Sequence, residues 1–196
     1  MQKTLKYYIN LFKTNNRFIF IEDIKLQEVL YLFSGYVSYI YFEEIIKQNI
    51  SEELKEIKAH TIFIYLGSII EAVVYYYVQT KLNDEKSKRK YLEIEWFKKL
   101  QKVKETNDLY ICKLETKEIN FNKSINFNAL INWLKDKKLI NKKIIEKIDF
   151  FRKMRNLVHI NAFLNNDEYE LITELKNAFI DTKEIFDYIE WKLDNC

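Results

Sequence analysis

The chain contains no proline and only two glycines in 196 residues. These two residue types supply most of the tight turns that join short strands. A β-sandwich or β-barrel needs many such turns, so their scarcity argues against both architectures. Long helices joined by polar segments need few of them. The composition therefore predicts an all-α fold, and the 48% of hydrophobic residues are sufficient for a buried core.

The length and the cysteine pattern favour one cytoplasmic domain. A chain of 196 residues suits a single domain, and we expect residues 1–50 to form a helical extension packed on its core. Cys112 and Cys196 lack metal-site spacing, which is typical of free thiols in a reducing compartment. The N-terminus lacks the apolar stretch of a signal peptide. The net charge of +3 is compatible with RNA contact.

Apolar spacing and capping residues predict the positions of the helices. Ser51, Asn126 and Asn141 are suitable N-caps. Residues 107–125 show short-range alternation and predict either a small β-hairpin or an irregular excursion from the bundle. The helices are expected over residues 1–14, 22–47 (with a possible break at Ser34 and Gly35), 51–82, 91–106, 127–138, 142–158 and 167–193.

The segment Thr61–Thr80 is apolar for much of its length but carries Glu71 in its middle. A carboxylate is costly in lipid, so the segment predicts a buried core helix rather than a membrane span. We expect Glu71 to be buried and therefore to need a partner, with Arg152 or Arg155 as candidates. Such a pair either holds helices together or orients the arginine. Gly67 is expected to let two helices approach closely.

Two of the four arginines and one of the two histidines lie within residues 152–159, in a chain that otherwise relies on 28 lysines. Each helical residue turns by about 100°, so Arg152, Arg155 and His159 would share one stripe, with Asn156 beside them. Guanidinium groups bind phosphate, and imidazole transfers protons near neutral pH. These residues therefore form a candidate phosphodiester-cleaving site. The alternative is that they only cap and solvate a helix end.

The motif Arg-Asn-Leu-Val-His at residues 155–159, with Arg152 upstream, resembles the signature of HEPN domains. These are α-helical domains of prokaryotic toxins, antiphage systems and RNA-guided ribonucleases. The family pattern places four to six residues between an arginine and a histidine, and six separate Arg152 from His159. Arg155 followed by Asn156 matches the family's Arg-polar pair, so the catalytic arginine is either Arg152 or Arg155. Residues 63–72 also resemble an earlier HEPN helix, whose glutamate, here Glu71, faces the motif.

The resemblance implies a HEPN-like helical bundle that cleaves RNA without a metal or cofactor. The 2′-OH would attack the adjacent phosphorus, leaving a 2′,3′-cyclic phosphate. In this scheme Arg155, His159, Arg152 and Asn156 are the catalytic residues, and Glu71 orients an arginine. The resemblance further implies a homodimer, an RNA substrate (tRNA, mRNA or rRNA) and an antitoxin or defence-system partner, with no role for a membrane.

Two other functions remain open at this point. The first is a catalytically silent HEPN module that acts as a dimeric scaffold, a sensor or a partner-binding protein. The second is a helical domain that only binds nucleic acid. Loss of His159 should abolish toxicity in a nuclease, should change nothing in a scaffold, and should spare RNA retention in a simple binding domain.

Overall fold

The computed structural model describes residues 3–83, 90–103, 107–118, 126–156 and 171–195, with side chains outside residues 82–118. The chain separates into two compact units. Residues 1–77 and 126–196 form a helical unit, and residues 78–125 form a smaller unit. The expectation that all 196 residues behave as one domain stays a prediction.

Every regular element that the structure describes in the helical unit is a helix. The all-α class predicted from the sequence is therefore confirmed for this unit. The elements are α1 (Leu5–Thr14), α2 (Ile24–Tyr39), a π-helix (Ile40–Ile46) that continues α2, α3 (Glu52–Asn83, whose last turns belong to the smaller unit), α4 (Phe127–Asp136), α5 (Lys142–Asn156) and α6 (Leu171–Asp194).

The predicted N-caps of α4 and α5 are confirmed. The side chain of Asn126 accepts a hydrogen bond from the backbone N–H of Ala129 at 2.8 Å. The side chain of Asn141 accepts one from the N–H of Ile144 at 2.9 Å. Each bond satisfies a donor that the first turn of a helix leaves without a partner, which fixes where the helix begins.

The predicted break at Ser34 and Gly35 is wrong, because α2 is continuous from Ile24 to Tyr39. Gly35 instead lets α1 pack closely against α2. A Cβ atom at Gly35 would lie 2.8 Å from the backbone N and Cα atoms of Ile9. Gly35 is therefore needed because it has no side chain between α1 and α2, and its backbone keeps the helical φ and ψ angles of α2.

The smaller unit contains an antiparallel hairpin of β1 (Lys90–Val103) and β2 (Asn107–Glu118). The helix predicted over residues 91–106 is therefore wrong, and the hairpin predicted near 107–125 begins earlier and is longer. The sequence from Leu92 to Trp96 alternates apolar and acidic residues, which is the period of a strand. Pairing with the β-forming residues of β2 reinforces that local preference.

Helix α3 packs against α5 through aromatic side chains. The ring of Phe63 on α3 lies 6.0 Å from that of Phe150 and 6.4 Å from that of Phe151, measured between centroids. Phe63 and Phe151 are fully buried. By length and composition alone α3 could cross a membrane, a property that core helices of soluble proteins share. These contacts place α3 beside the arginine cluster of α5.

Helix α5 is also fixed to α6 by charged side chains. Lys147 of α5 forms ion pairs with Asp181 and with Glu184 of α6, the latter at 2.5 Å. The side chain of Lys147 is only 17% exposed, so these pairs are more shielded from water than typical surface pairs. Two neighbouring helices therefore define the position of α5.

We expect the variant Gly35→Ala to lower the free energy of unfolding in urea. Overpacking against the Ile9 backbone lowers the free energy of unfolding by about 1–3 kcal/mol. At an unobstructed helical position, replacing glycine with alanine would instead raise it by about 1 kcal/mol. The exposed Val29 on the same helix provides the control, since Val29→Ala should change stability by less than about 0.5 kcal/mol. An unchanged or more stable Gly35→Ala protein would contradict the close α1–α2 contact.

Candidate functional site

Arg155, near the end of α5, lies directly over Gly67 of α3. A Cβ atom at Gly67 would lie 2.9 Å from Cβ of Arg155 and 3.0 Å from the backbone oxygen of Phe151. Only glycine therefore fits at this crossing without displacing α5. The expected role of Gly67 in the close approach of two helices is confirmed.

The guanidinium of Arg155 forms an ion pair with Glu71, through Nη1 and Oε2. Gly67 and Glu71 are four residues apart and so lie on the same face of α3. The stem of Arg155 passes over the glycine, and its charged end reaches the carboxylate one turn further along. The expectation that Glu71 pairs with an arginine is confirmed, with Arg155 as the partner.

The expectation that Glu71 is buried is wrong, because 28% of its side chain is exposed. The Arg155 side chain is 36% exposed. Apolar residues near Glu71 in the sequence are buried on other faces of α3. The face that carries Glu71 is partly open to solvent where Arg155 of α5 lies over it. Arg155 contacts Glu71 through Nη1 while its side chain is partly exposed to water, so its guanidinium can still bind a second anion.

Arg152 belongs to a different charge network, within α5. Its Nε donates a hydrogen bond to Asp149 Oδ1 at 2.7 Å, and Lys153 Nζ lies 3.2 Å from the other oxygen of that carboxylate. Burial favours a higher pKa for Asp149, but the bonds from Arg152 and Lys153 outweigh it and hold the pKa below its usual value. Arg152 is thus fixed beside a carboxylate that stays ionised.

The structure pairs both Arg152 and Arg155 with carboxylates, so the interpretation that they only serve this helix end stays a prediction beside the phosphodiester-cleaving site. Asn156 is exposed and directly follows Arg155. His159 lies outside the described residues, so its predicted role stays a prediction. The structure therefore brings Arg155 and Glu71 together and places Arg152 in its own pair with Asp149.

Sequence reasoning missed Asp149 and Lys153. Asp149 lies three residues before Arg152 and four before Lys153 on one helix, and this spacing is a signal that the sequence contains. The side chain of Lys153 is 65% exposed. Among the described residues here, the three cations Arg152, Lys153 and Arg155 face the two carboxylates Asp149 and Glu71, which leaves one excess positive charge.

This arrangement can bind an anion without a metal ion. A guanidinium carries five N–H donors, and among the described residues the contact with Glu71 engages only Nη1 of Arg155, so its other donors can bind a phosphate oxygen. Arginine is suited to such a role because its planar donors match phosphate geometry. Within the described ranges, no group of three or more His, Cys, Asp or Glu side chains lies together in a way that would hold a metal.

Comparison of this chain with protein-family models, with curated proteins and with solved structures found no match. The resemblance to HEPN domains therefore rests on residues 63–72 and 152–159 alone.

We expect a double-mutant cycle on Glu71→Gln and Arg155→Gln to give a coupling free energy of about 1 kcal/mol, because the pair is partly shielded from water. Urea unfolding of the four proteins measures it. The control is the pair Lys142–Glu146, 3.8 Å apart with side chains 91% and 64% exposed, for which we expect a coupling near zero. Equal coupling in both cycles would contradict a specific contact at Arg155.

Proposed function

We propose that this protein is a metal-independent endoribonuclease of the HEPN type. The observation that carries the proposal is the attachment of Arg155 over Gly67 to Glu71. The arginine that begins the Arg-Asn-Leu-Val-His motif is held in one place, next to the earlier helix that carries the expected glutamate. The resemblance implies that a glutamate of the earlier helix faces the motif, and the contact between Glu71 and Arg155 supports it.

The chemistry follows from the groups in the motif. The RNA 2′-OH attacks the adjacent phosphorus, the bond to the 5′-oxygen breaks, and a 2′,3′-cyclic phosphate and a 5′-OH form. Arg155 or Arg152 stabilises the negative charge that develops on the phosphate oxygens. His159 transfers a proton as a general acid or base. Asn156 hydrogen-bonds the phosphate or the imidazole.

Glu71 acts in this proposal as a positioning residue. Its pair with Arg155 limits the directions that the guanidinium can adopt, and a fixed donor stabilises developing charge better than one that must reorganise. The excess positive charge contributed by Lys153 favours the approach of a polyanion. These contacts support an RNA substrate, whether tRNA, mRNA or rRNA.

The cellular setting belongs to the same proposal. Active HEPN sites usually combine two copies of the motif, so we propose a homodimer. A toxin–antitoxin or antiphage role in the cytoplasm, with an antitoxin or defence-system protein as partner, fits a small ribonuclease whose activity must be restrained.

A second function is supported by one observation. Both Arg152 and Arg155 are paired with carboxylates of the same chain. This is also what a catalytically silent HEPN module would need if it kept these residues for structure alone. Such a protein would act as a dimeric scaffold, a sensor or a partner-binding module.

The test is incubation of purified protein with total RNA and tRNA in EDTA, followed by identification of the RNA ends. We expect cleavage that leaves 2′,3′-cyclic phosphate, and a loss of about 100-fold or more in His159→Ala, the size typical of general acid–base catalysis. Arg155→Lys keeps the charge but loses the planar donors, so its cleavage should also fall. His60→Ala is the control, because it removes the other histidine.

Two results would contradict the nuclease. Cleavage that disappears with EDTA would indicate a metal-dependent enzyme, and cleavage that persists in His159→Ala would indicate a contaminant or a different site. Intact RNA with the wild-type protein, together with unimpaired growth of cells that express it, would favour the silent module.

A further inference from the structure

A groove of about 690 Å³ lies where the end of α4, the start of α5 and the end of α6 meet. Lys142 begins α5 and Arg155 lies near its end, so about 20 Å of helix separates this groove from the candidate functional site. The volume falls within the range of ligand sites. Since a water molecule occupies about 30 Å³, the groove has room for about twenty non-hydrogen atoms, the size of one nucleotide.

Four lysines line this groove, which we call the lysine groove. They are Lys135 from α4, Lys138 from the loop after α4, Lys142 from α5 and Lys192 from α6. Among the described residues, Glu146 is the one carboxylate in the lining, 3.8 Å from Lys142 Nζ. The other three lysines form no ion pair with any described residue. The lining therefore carries an excess of positive charge.

Carboxylates close to the lysine groove do not cancel this charge. Asp136 and Asp194 adjoin it in the sequence, but neither lines it, and neither forms an ion pair with a described residue. Glu190 on α6 is acted on by Arg17 and not by a groove lysine, so it belongs to another side of that helix. Even if Asp136 and Asp194 are both counted with Glu146, four lysines face three carboxylates.

The position of Lys138 is unusual for a lysine. Its φ of 52° lies in the left-handed region, directly after the end of α4. Its N–H donates to the backbone oxygen of Lys135 at 3.1 Å, and the N–H of Leu139 donates to that of Leu134 at 3.3 Å. Glycine is the usual residue at this turn, and another residue there costs about 1 kcal/mol or more. A lysine that lines the groove thus stands where glycine would be more stable.

Aromatic rings lie beside the groove lysines. Tyr188 of α6 lines the groove, and its hydroxyl accepts a hydrogen bond of 3.1 Å from the backbone N–H of Asn141. Trp191 is 53% exposed, and its ring lies 6.0 Å from that of Tyr188, between centroids. Lys192 Nζ lies 5.4 Å from the Trp191 ring and 5.9 Å from the Tyr188 ring. A planar group could therefore stack here next to a cation.

The shape and chemistry of the lysine groove favour a nucleic acid strand over other polyanions. A membrane surface is flat and would not enter a concave site whose lining includes Ile140 and Ile145, both buried. A nucleic acid strand carries a phosphate and a planar base in every unit, which matches lysines placed around aromatic rings. This combination is common in proteins that bind single strands. In a duplex the bases are already paired and stacked, so the strand has to be single.

We propose that the lysine groove binds single-stranded nucleic acid, with a base against Tyr188 and Trp191 and the flanking phosphates on the lysines. The proposal rests on the proposed function only in taking RNA as the natural strand, of which this groove would hold a part remote from the cleaved bond. Binding itself involves no cleavage. It can be measured with DNA, which lacks the 2′-OH that the proposed reaction needs.

The first test is fluorescence anisotropy of the full chain with a labelled oligothymidylate of about twelve nucleotides, at about 50 to 200 mM NaCl. We expect a Kd below about 100 μM at the lowest salt. Each lost phosphate contact changes the slope of log K against log salt by about 0.7 for a single strand. Lys138→Gln with Lys142→Gln should therefore make the slope shallower by about 1.4, and should weaken binding about tenfold or more at the lowest salt.

The matched control is Lys143→Gln with Lys183→Gln. This pair removes the same charge, but Lys143 Nζ lies 2.8 Å from Glu184 and Lys183 Nζ lies 2.8 Å from Asp187, and neither lysine lines the groove. We expect it to change the slope by less than half as much as the groove pair. All four lysines are exposed, so the substitutions should leave the fold intact.

A second variant tests the base contact. Trp191→Leu should weaken oligothymidylate binding by about fivefold to tenfold, because stacking of a base on an aromatic ring is lost. Inorganic polyphosphate has the charge but no bases, so its affinity, measured by competition, should be the same for Trp191→Leu and for the wild type.

Four results would overturn the proposal. They are no binding of the oligothymidylate below about 1 mM, equal changes of slope in the groove pair and the control pair, no weakening by Trp191→Leu, and binding to phosphatidylserine vesicles without binding to the oligothymidylate. If Trp191→Leu does not fold, the two lysine pairs decide. A protein that binds this DNA but does not cleave RNA would contradict only the nuclease, and one that cleaves RNA without binding the DNA would contradict only the groove.

Discussion

The close crossing of α3 and α5 at Gly67 is the constraint on which the candidate site depends. No side chain fits between the two helices at this point, since a Cβ atom would lie 3.0 Å or less from the backbone oxygen of Phe151 and from Cβ of Arg155. The same crossing brings the rings of Phe63 and Phe151 together in the core. Apolar packing therefore fixes the backbone of α5, and the arginine at its end is positioned as a consequence.

The pair of Arg155 with Glu71 contributes more to position than to stability. Both side chains are about one-third exposed, and pairs of this kind stabilise a fold by about 1 kcal/mol or less. Burial of aromatic and aliphatic side chains between α3 and α5 is worth several times more. Packing of α5 against α3 fixes the backbone of Arg155, and the ion pair with Glu71 then orients its guanidinium. Lysine, with a flexible stem and a point charge, would be less restricted there.

The features of this structure that depend on residues close together in the sequence were predictable from it. Asn126 and Asn141 cap helices through contacts three residues away, and Gly67 and Glu71 share a face because of helical spacing. The partner of Glu71 was limited to two arginines because the chain has so few.

Other features depend on contacts that a single segment does not encode. The strand at 90–103 is stabilised by its pairing with 107–118, a contact that its own sequence does not reveal. The predicted break at Gly35 is wrong because the close contact of Gly35 with Ile9, on another helix, cannot be read from the sequence around Gly35. A cavity that four helices and a loop line together also depends on contacts between distant segments.

The most direct test of the central claim is the charge-exchanged variant with Glu71→Arg and Arg155→Glu, assayed for thermal unfolding and for RNA cleavage in EDTA beside both single variants. The account predicts that the exchange restores the Tm lost in the single variants but does not restore cleavage, because the guanidinium then projects from α3. Cleavage at the wild-type rate by the exchanged protein would contradict a role for Arg155 at its place on α5, and a Tm unaffected in either single variant would contradict the pairing itself.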